Sequence, residues 1–322
     1  MNSSPDVSVV VVSFNTRDLL RECLTTLARE AANITYEVLV VDSASRDGSA
    51  DMVEQEFPNA RLFRSDQNLG FAGANNLAFP ECRGRYVVLL NSDAFLTPNA
   101  LPLSVKYMDA NPRAGIGGAR LVGRDGAWQP SARMFPSMLN DFLSLSGLSA
   151  KYPRSKFFGR GDRTWADNLI ACETDWVPGA YTIIRRSALE EVGYFDPRFF
   201  LYYEEVDLCL RFKNAGYKVF YWPDVVVIHL GGESSKTLQQ MTMSSVGAQL
   251  TLWRMRSALM YYRKHHGWQA WLAKSLESNW HATRARKNPG TGKAKESLEI
   301  VRLMDQAWKE TAGGLVSPPR PW

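Results

Sequence analysis

The 322-residue sequence predicts an α/β protein whose mostly parallel sheet is flanked by helices and followed by a C-terminal helical extension. Three observations support this fold class. Apolar, β-branched runs suit strands buried on both faces. Stretches of helical periodicity alternate with them, as in βαβ units. Three of the runs end in polar residues, and ligands bind at such carboxyl ends in open parallel sheets.

The N-terminal third shows this alternation most clearly. The pattern predicts three strands with helices between them. A further helix, which ends near Glu81, is predicted before the fourth strand. The segments, in order, are strand Val7–Phe14, helix Asp18–Arg29, strand Tyr36–Val41, a helix through Glu56, and strand Ala60–Arg64.

The fourth strand begins at Tyr86 and gives way to Asn91-Ser92-Asp93. Asp93 would then lie at the carboxyl end of a parallel strand, with its carboxylate in a crevice of the sheet. A carboxylate oxygen at such a place suits Mg²⁺ or Mn²⁺ as a ligand. The alternative is a simple turn or helix cap, since these residue types favour both.

The second half of the chain is less regular, and residues 123–156 are rich in loops. The predicted elements are helix Pro98–Asn111, strand Gly115–Leu121, strand Thr182–Arg185, helix Ser187–Val192, a helix from Glu204 to Ala215, strands Lys218–Trp222 and Val225–His229, helical residues 244–281, a linker at Asn288–Lys293, and helix Ser297–Trp308.

Composition narrows the protein class. The four cysteines are scattered without a CxxC pair, which indicates a reducing compartment and argues against a zinc site. We predict a cytoplasmic protein, because the N-terminus lacks a signal-peptide layout and no apolar run approaches the roughly 20 residues of a membrane span. The first strand lacks GxGxxG and there is no GxxxxGK[ST], which argues against a classical dinucleotide-binding site and against a P-loop kinase or ATPase.

The basic charge is concentrated near the C-terminus. From Met241 onward there are thirteen Lys and Arg against five Asp and Glu, a net of +8, which leaves −3 for residues 1–240. This region also carries several Trp and Tyr, a mixture that suits an interfacial helix near an anionic membrane. The alternative is a packing helix or an oligomer contact with a solvated basic face.

Seven motifs occur in an order and spacing that resemble glycosyltransferase family 2, over roughly residues 7–235. The similarity is greatest to the bacterial rhamnosyltransferases that use dTDP-rhamnose. The motifs are VVSFN at 11–15, VDSASRDGS at 41–49, NLGFAGANN at 68–76, LNSD at 90–93, GAY at 179–181, FFLYYEEVDL at 199–208 and HLGGES at 229–234.

The resemblance implies a GT-A fold, a Rossmann-like sheet with a nucleotide-sugar site at its carboxyl edge. The implied domains are a catalytic domain at 1–235, a basic aromatic helical extension at 236–290, and a C-terminal helix with a loose tail at 291–322.

The resemblance also assigns roles to residues. Glu205 aligns with the catalytic base, and Asp93 and His229 with the metal ligands, for Mg²⁺ or Mn²⁺. The aspartate-any-aspartate motif of the family is Asn91-Ser92-Asp93 here, and its Glu-Asp pair is Glu204-Glu205. The implied donor-binding residues are Ser13, Asn15, Asp42, Asn68, Gly70, Asn75, Asn76 and Asn91, and the implied acceptor-binding residues are Trp176, Gly179, Ala180, Tyr181 and Glu204.

Each role has a structural alternative. His229 can be a strand-end histidine bonded to the backbone, and Glu205 can simply stabilise a helix dipole. Asp207 fits that dipole reading and is not assigned to catalysis. The residues from Asn68 to Asn76 form either an anion-binding helix entry or an ordinary loop and cap, and Trp176 can belong to the core.

The function implied is an inverting, metal-dependent transfer of L-rhamnose from dTDP-L-rhamnose to a lipid-linked or polysaccharide acceptor. Two alternatives stay open: a UDP-hexose or UDP-galactofuranose donor, because thymine and uracil share the N–H that Asp42 would bind, and a non-catalytic nucleotide-sugar-binding protein. A nucleic-acid partner is not expected, because nucleic-acid binding would not explain the polar loops at the carboxyl ends of the strands. The basic C-terminal helices could contact the inner face of the membrane.

Overall fold

The computed structural model describes residues 4–31, 34–231 and 243–312, the last range without the side chains of residues 243–248. The predicted alternation of strands and helices in the N-terminal third is confirmed. The elements are β1 (Val7–Ser13), α1 (Arg17–Glu30), β2 (Tyr36–Ser43), α2 (Ser49–Glu56), β3 (Arg61–Ser65), α3 (Gly70–Ala78) and β4 (Tyr86–Asn91).

The second half supplies the remaining strands and a run of C-terminal helices. The elements are β5 (Ala94–Leu96), α4 (Ala100–Ala110), β6 (Ala114–Val122), β7 (Trp128–Gln129), α5 (Met138–Leu145), α6 (Leu148–Lys151), β8 (Cys172–Glu173), β9 (Tyr181–Arg185), α7 (Arg186–Val192), α8 (Glu204–Asn214), β10 (Lys218–His229), α9 (Met243–His266), α10 (Gln269–Lys287) and α11 (Gly292–Thr311).

The strands form one sheet in the order β3-β2-β1-β4-β9-β6-β10-β5, with β7 beside β6 and β8 beside β10. The predicted parallel character holds for β1–β4, β6 and β10, which share one direction. Strand β9 is antiparallel to both β4 and β6, and β5 is antiparallel to β10. The sheet is therefore mixed, and its parallel strands end along a common edge.

The sheet is covered on both faces, which explains the uninterrupted apolar runs. Val9 and Val11 of β1 belong to a core cluster shared with α1 and α4. Val10 faces the opposite cluster, which includes residues of α3, α7 and α8. Strand side chains alternate between the two sides, so every position of β1 except the half-buried Val12 is buried.

The structure differs from the sequence predictions in several places. Strand β5 resumes immediately after Asp93, helix α5 lies in the stretch expected to be loop, and α3 begins at Gly70, inside the 68–76 motif. The two strands predicted over Lys218–Trp222 and Val225–His229 are one strand, β10, whose register against β6 shifts between Trp222 and Val226. The single helical stretch expected over 244–281 is two helices, because Gly267 adopts a φ of 56° between α9 and α10.

The C-terminal helices pack on one another and on the sheet domain. Leu252, Met255 and Leu259 of α9 meet Leu303 and Met304 of α11 in a separate apolar cluster. Tyr261 and Tyr262 of α9 pack beside Phe199 and Val206 near the start of α8. The predicted domain boundaries remain predictions. The end of the first predicted domain and the predicted loose tail lie outside the described residues, which do not include 1–3, 232–242 and 313–322.

Asp207 joins α8 to α9 through buried polar contacts. Its carboxylate accepts from Arg211 Nε at 2.8 Å and His265 Nε2 at 2.7 Å, and Lys264 Nζ lies 2.6 Å away. Burial alone would raise the pKa of Asp207, but these bonds and positive charges bring it below its usual value. Asp207 therefore fixes α9 against α8, as a structural residue.

Across the ranges that the structure describes, no helix combines the length and the apolar character that a bilayer span requires.

Candidate active site

The carboxyl ends of β1, β2 and β4 lie side by side. Strand pairing puts Ser13 next to Asp42 and Val12 next to Asn91. A cleft of about 340 Å³ opens at this edge of the sheet. It is lined by Val12, Phe14, Ser43, Asn68, Gly70, Phe71, Asn91, Ser92, Asp93, Pro178, Gly179, Ala180, Phe200, Leu201, Tyr202, Glu204, Glu205, His229, Leu250 and Trp253. The three residues on which the sequence prediction depended, Asp93, Glu205 and His229, therefore converge on one cleft.

Asp93 and His229 face each other at the end of β4 and the end of β10. His229 Nε2 lies 3.6 Å from Asp93 Oδ1, and both side chains are largely buried. The backbone also joins the two segments, because Leu230 N donates to the Asp93 carbonyl at 3.1 Å. The antiparallel pairing of β5 with β10 sets this distance, since it places Ala94 opposite His229.

Gln129 fixes the orientation of His229. Its Nε2 donates to the His229 carbonyl at 2.8 Å, and its Oε1 lies 2.9 Å from His229 Nδ1. An amide oxygen can only accept, so Nδ1 carries the hydrogen and Nε2 presents a lone pair. Burial lowers the pKa of His229, an effect that Asp93 opposes, and burial thus favours this neutral form.

These two side chains fit a divalent cation. With the tautomer that Gln129 selects, Nε2 and the Asp93 carboxylate oxygen are both electron-pair donors directed toward one place. A carboxylate and an imidazole are accepted ligands of divalent metals, and Mg²⁺ or Mn²⁺ commonly takes its other ligands from water and substrate phosphates. Within the described residues no group of three or more His, Cys, Asp or Glu side chains could hold a metal ion.

Glu204 and Glu205 form the first turn of α8. The two preceding residues, Tyr202 and Tyr203, have φ values of 70° and 67°, an unfavourable left-handed conformation for tyrosine. Non-glycine residues held this way are concentrated at functional sites. The turn brings both glutamates to the cleft, with Glu204 buried and Glu205 half-buried.

The two glutamates form a coupled acidic pair. One carboxylate oxygen of each is buried without a hydrogen-bond partner among the described residues. Burial raises the pKa of Glu204 well above its usual range, and the charge of Glu205 raises it further. Burial also raises the pKa of Glu205, while the Arg133 guanidinium opposes the shift. These surroundings therefore favour the protonated form more strongly at Glu204 than at Glu205.

The loops after β1 and β2 hold one another together. Ser13 Oγ lies 3.1 Å from Thr16 Oγ1, and Asn15 Oδ1 accepts from Arg46 N at 2.7 Å. Neither Ser13 nor Asn15 lines the cleft. Asp42 Oδ2 accepts from Ser45 N at 3.1 Å, while Asp42 Oδ1 is buried with no hydrogen-bond partner within the described residues. Burial raises the pKa of Asp42, and its hydrogen bonds to Ser45 oppose the shift.

The predicted anion site at the entry of α3 has its first amides occupied. Gly70 N donates to Asn68 Oδ1 and Phe71 N to the Phe200 carbonyl, both at 2.9 Å. Asn75 and Asn76 are not among the residues that line the cleft. Asn75 Nδ2 donates to the Phe71 carbonyl, and Asn76 bonds the backbone N and O of Phe195. Their amides stabilise the walls of the cleft.

Gly70 cannot be replaced without strain. Its φ is 69°, and a Cβ at this position would overlap the carbonyl oxygen and ring of Phe200. We expect Gly70→Ala to lower the free energy of unfolding in urea by about 2–4 kcal/mol, the sum of the left-handed penalty and overpacking. The control is Gly126→Ala, which has a φ of 77° and no atom within 4 Å of the new Cβ. Equal losses for the two variants would contradict the close approach to Phe200.

The segment predicted to face the acceptor divides into two parts. Gly179 and Ala180 line the cleft, but Trp176 and Tyr181 do not. Trp176 Nε1 donates to the Met134 carbonyl at 2.9 Å beneath the Arg133 guanidinium. Tyr181 is fully buried, and its hydroxyl lies 2.7 Å from Ser104 Oγ. The structure thus gives both aromatic residues packing contacts.

Sequence reasoning missed the aromatic wall of the cleft. Phe14, Phe71 and Phe200 lie in the recognised motifs, but nothing in the sequence says which way their rings point. Trp253 comes from α9, and its ring centroid lies 4.6 Å from that of Phe200. The C-terminal helices were treated as an extension, yet α9 contributes Leu250 and Trp253 to the cleft.

Comparison with known proteins agrees with this geometry. The profile described as "Glycosyl transferase family 2" matches residues 8–193. The chain is 31% identical over 237 residues to the N-acetylglucosaminyl-diphospho-decaprenol L-rhamnosyltransferase of Mycobacterium tuberculosis, covering 69% of this chain and 75% of that relative. It is 26% identical over 247 residues to the rhamnosyltransferase WbbL of Escherichia coli, covering 72% and 86%.

Two solved structures share the fold. One is the mannosyltransferase PcManGT from Pyrobaculum calidifontis in complex with GDP-Man and Mn²⁺, with a TM-score of 0.52, 17% identity, and coverage of 99% of this chain and 78% of that one. The other is GalNAc-T7 with UDP, GalNAc and Mn²⁺, with a TM-score of 0.56, 13% identity, and coverage of 97% and 57%. They confirm the predicted GT-A type of fold.

Proposed function

This chain belongs to glycosyltransferase family 2, and we propose from that premise that it is an inverting rhamnosyltransferase. It transfers L-rhamnose from dTDP-L-rhamnose to a lipid-linked or polysaccharide acceptor. The observation that carries the proposal is the convergence on one cleft, at the carboxyl edge of the sheet, of Asp93, Glu205 and His229, the first and last of which are 136 residues apart in sequence.

The cation pair would serve the departing diphosphate. Asp93 and His229 would hold Mg²⁺ or Mn²⁺, which supplies Lewis-acid stabilisation of the negative charge on the leaving group. Gln129 keeps the Nε2 lone pair of His229 directed toward Asp93. Orientation by a hydrogen bond to the second ring nitrogen is usual for histidine ligands.

Glu205 would act as the general base. It takes the proton from the acceptor hydroxyl while the new bond to the sugar anomeric carbon forms and the bond to the diphosphate breaks. A single displacement of this kind inverts the configuration at that carbon. Glu204, in the protonated form that its burial favours, would donate a hydrogen bond to the acceptor or the donor sugar, as a neutral buried carboxyl does in other active sites.

The donor base would be recognised by Asp42. Its unpartnered Oδ1 is an acceptor that a pyrimidine N–H would satisfy, and leaving a buried acceptor unpaired costs about 1–3 kcal/mol. Asn68, Gly70 and Asn91 would contact the rest of the donor from the cleft wall. Ser13, Asn15, Asn75 and Asn76 would support this wall from behind.

Rhamnose is favoured as the transferred sugar because both relatives described above are named as rhamnosyltransferases. The Mycobacterium tuberculosis protein is named for a diphospho-decaprenol substrate, which supports a lipid-linked acceptor here. The further prediction, that the basic C-terminal helices contact the inner face of the membrane, is separate from the choice of donor and acceptor.

A nucleotide-sugar panel tests the proposed donor. We expect dTDP-L-rhamnose with Mn²⁺ to raise the unfolding midpoint more than UDP-glucose or UDP-galactofuranose, and to release dTDP slowly even without acceptor. A ligand at 100 times its Kd stabilises by about 2.7 kcal/mol. A larger shift with a UDP-sugar would overturn the rhamnose assignment but not the class of enzyme. Stabilisation without any product under acceptor-rich conditions would favour the non-catalytic alternative.

Gln129→Leu tests the arrangement around His229. The variant loses both hydrogen bonds to His229, and we expect Mn²⁺ affinity, measured by calorimetry with dTDP present, to fall by about 10- to 100-fold. Gln55→Leu, at an exposed position of α2 away from the cleft, is the control. Unchanged Mn²⁺ affinity in a folded Gln129→Leu protein would show that His229 is not held as a ligand.

A further inference from the structure

Residues 151–170 form a surface that the proposed chemistry does not use, here called the basic aromatic loop. Between Lys151 and Trp165 there are five Lys or Arg and one acidic residue, Asp162. Asp162 Oδ1 lies 3.3 Å from Nε of Arg133, a residue outside the loop. In the part of the chain that the structure describes, Lys151, Arg154 and Lys156 have no carboxylate within ion-pair distance.

Exposed apolar side chains are concentrated around the same loop. Eleven large apolar residues are exposed among the described residues, and six of them lie within residues 139–170, a tenth of the chain. Those six are Leu139, Phe142, Tyr152, Phe157, Leu169 and Ile170. The most exposed of them are Phe157, Leu169 and Ile170, each with more than half of its surface accessible.

Cations and aromatic rings alternate within the loop. Lys151 Nζ lies 5.2 Å from the centre of the Tyr152 ring, and Lys156 Nζ lies 5.3 Å from that of Trp165. Long basic side chains placed over apolar and aromatic groups suit the boundary between water and lipid, where each part of the side chain finds its preferred medium.

Six of the twelve Lys and Arg residues of the C-terminal helices form ion pairs in the part of the chain that the structure describes. Lys264 contacts Asp196 and Asp207, and Lys274 Nζ lies 2.8 Å from Asp305. The other ion pairs of these helices are Arg254–Glu277, Arg256–Glu310, Arg284–Glu296 and Arg302–Glu299. Unpaired basic charge is therefore present in both regions, and the basic aromatic loop differs in the larger number of exposed apolar side chains around it.

The base of the loop adjoins the acceptor side of the cleft. Met134 N donates to the Gly161 carbonyl at 2.8 Å, and the Arg133 guanidinium reaches Asp162. Arg133 is also near enough to Glu205 to act on it electrostatically. A bilayer contacting the loop would thus lie near the residue proposed to activate the acceptor.

We propose that the basic aromatic loop docks on an anionic lipid bilayer. This proposal rests on the proposed function only for the expectation of a lipid-linked acceptor. A soluble anion would account for the charges but not for Phe157, Leu169 and Ile170. Nucleic acid would use the charges and the rings, but the aliphatic pair has no stacking role there. A lipid surface would interact with the basic charges, the aromatic rings and the aliphatic side chains together.

Vesicle sedimentation of the full chain tests the proposal. We expect binding to phosphatidylcholine vesicles containing phosphatidylglycerol, weakened in high salt, and little binding to pure phosphatidylcholine. Lys151→Ser/Arg154→Ser/Lys156→Ser should bind about 100-fold more weakly, roughly fivefold for each residue that leaves the anionic surface. Tyr152→Ser/Phe157→Ser should lose at least about tenfold.

Two controls locate the contact. Lys287→Ser/Lys293→Ser/Lys295→Ser removes the same charge from exposed positions of α10 and α11, and Trp268→Ser/Trp271→Ser removes the exposed tryptophans of the C-terminal region. Both should change vesicle binding by less than threefold. The proposal is overturned if the wild type does not bind anionic vesicles, if either control loses as much as the loop variants, or if single-stranded DNA displaces the vesicles at comparable concentration.

Transfer to a soluble acceptor analogue separates this proposal from the function. The loop variants should keep wild-type transfer to that analogue, because their side chains lie outside the cleft. Vesicle binding without any transfer would support the docking surface and contradict the proposed function. Transfer without vesicle binding would support the proposed function and contradict the docking surface.

Discussion

Glu205→Gln is expected to lower the rate of sugar transfer by about 10²- to 10⁴-fold, the range that general-base catalysis usually contributes. Glutamine keeps the size of the side chain but cannot accept the acceptor's proton. Donor binding should change little, because the base acts on the acceptor. The measurement is the initial rate of transfer at saturating donor, with donor affinity determined by calorimetry on the same protein.

Glu204→Gln is the matched comparison. Burial and the Glu205 charge raise the pKa of Glu204 and so favour its protonated form, and an uncharged amide can imitate a protonated carboxyl as a hydrogen-bond donor. We therefore expect a loss of less than tenfold for this variant. A larger loss for Glu204→Gln than for Glu205→Gln would reverse the two assignments.

The same pair predicts the pH dependence. Glu205 must be ionised to work, and burial raises its pKa, so transfer should be lost with falling pH earlier than for an ordinary exposed glutamate. Arg133 opposes that rise. Arg133→Gln should therefore move the acid limb of the rate profile to higher pH. An acid limb that stays at the wild-type pH would mean that Arg133 does not act on the base.

Asp93→Asn should lower the transfer rate by about 10²- to 10³-fold, the usual loss when one group that stabilises transition-state charge is removed. The substitution keeps the shape of the side chain and removes its charge, so Mn²⁺ should no longer raise the unfolding midpoint in the presence of dTDP. The readouts are the transfer rate and a Mn²⁺ titration of thermal stability.

Asp224→Asn is the control for this variant. Asp224 lies on β10, the strand that carries His229, but its carboxylate accepts from Tyr107 on the surface. It should keep activity within about twofold, because surface substitutions away from a site usually have small effects. Undiminished transfer and an intact Mn²⁺ response in Asp93→Asn would remove Asp93 from the proposed mechanism.

Much of the fold could be predicted because its information is local. The β-branched runs of β1, β2 and β4 identify buried strands by themselves, and the helices between them follow from apolar spacing. The prediction failed where the local signal is weak. Strand β5 is three residues long, and α5 carries no strong start signal other than the Ser137 cap. Only pairing with β10 gives β5 its conformation.

The part of the site that could be predicted also depends on local sequence information. Asp93 and Glu205 stand in motifs that identify them one by one. Gln129 has no motif, since its role depends on β7 lying next to β6 and within reach of His229 on β10. The sequence also counts the C-terminal charges without showing that some of them, such as Lys264 and Lys274, are paired with aspartates.

The sequence by itself determined the family, the alternation of strands and helices, and the polar ends at the carboxyl edge of the sheet, because each depends on residues close together in the chain. The tertiary structure decided the tautomer of His229, the difference between Glu204 and Glu205, and the contribution of Trp253 to the cleft. These depend on distances between distant segments, and packing fixes such distances only when the whole chain has folded.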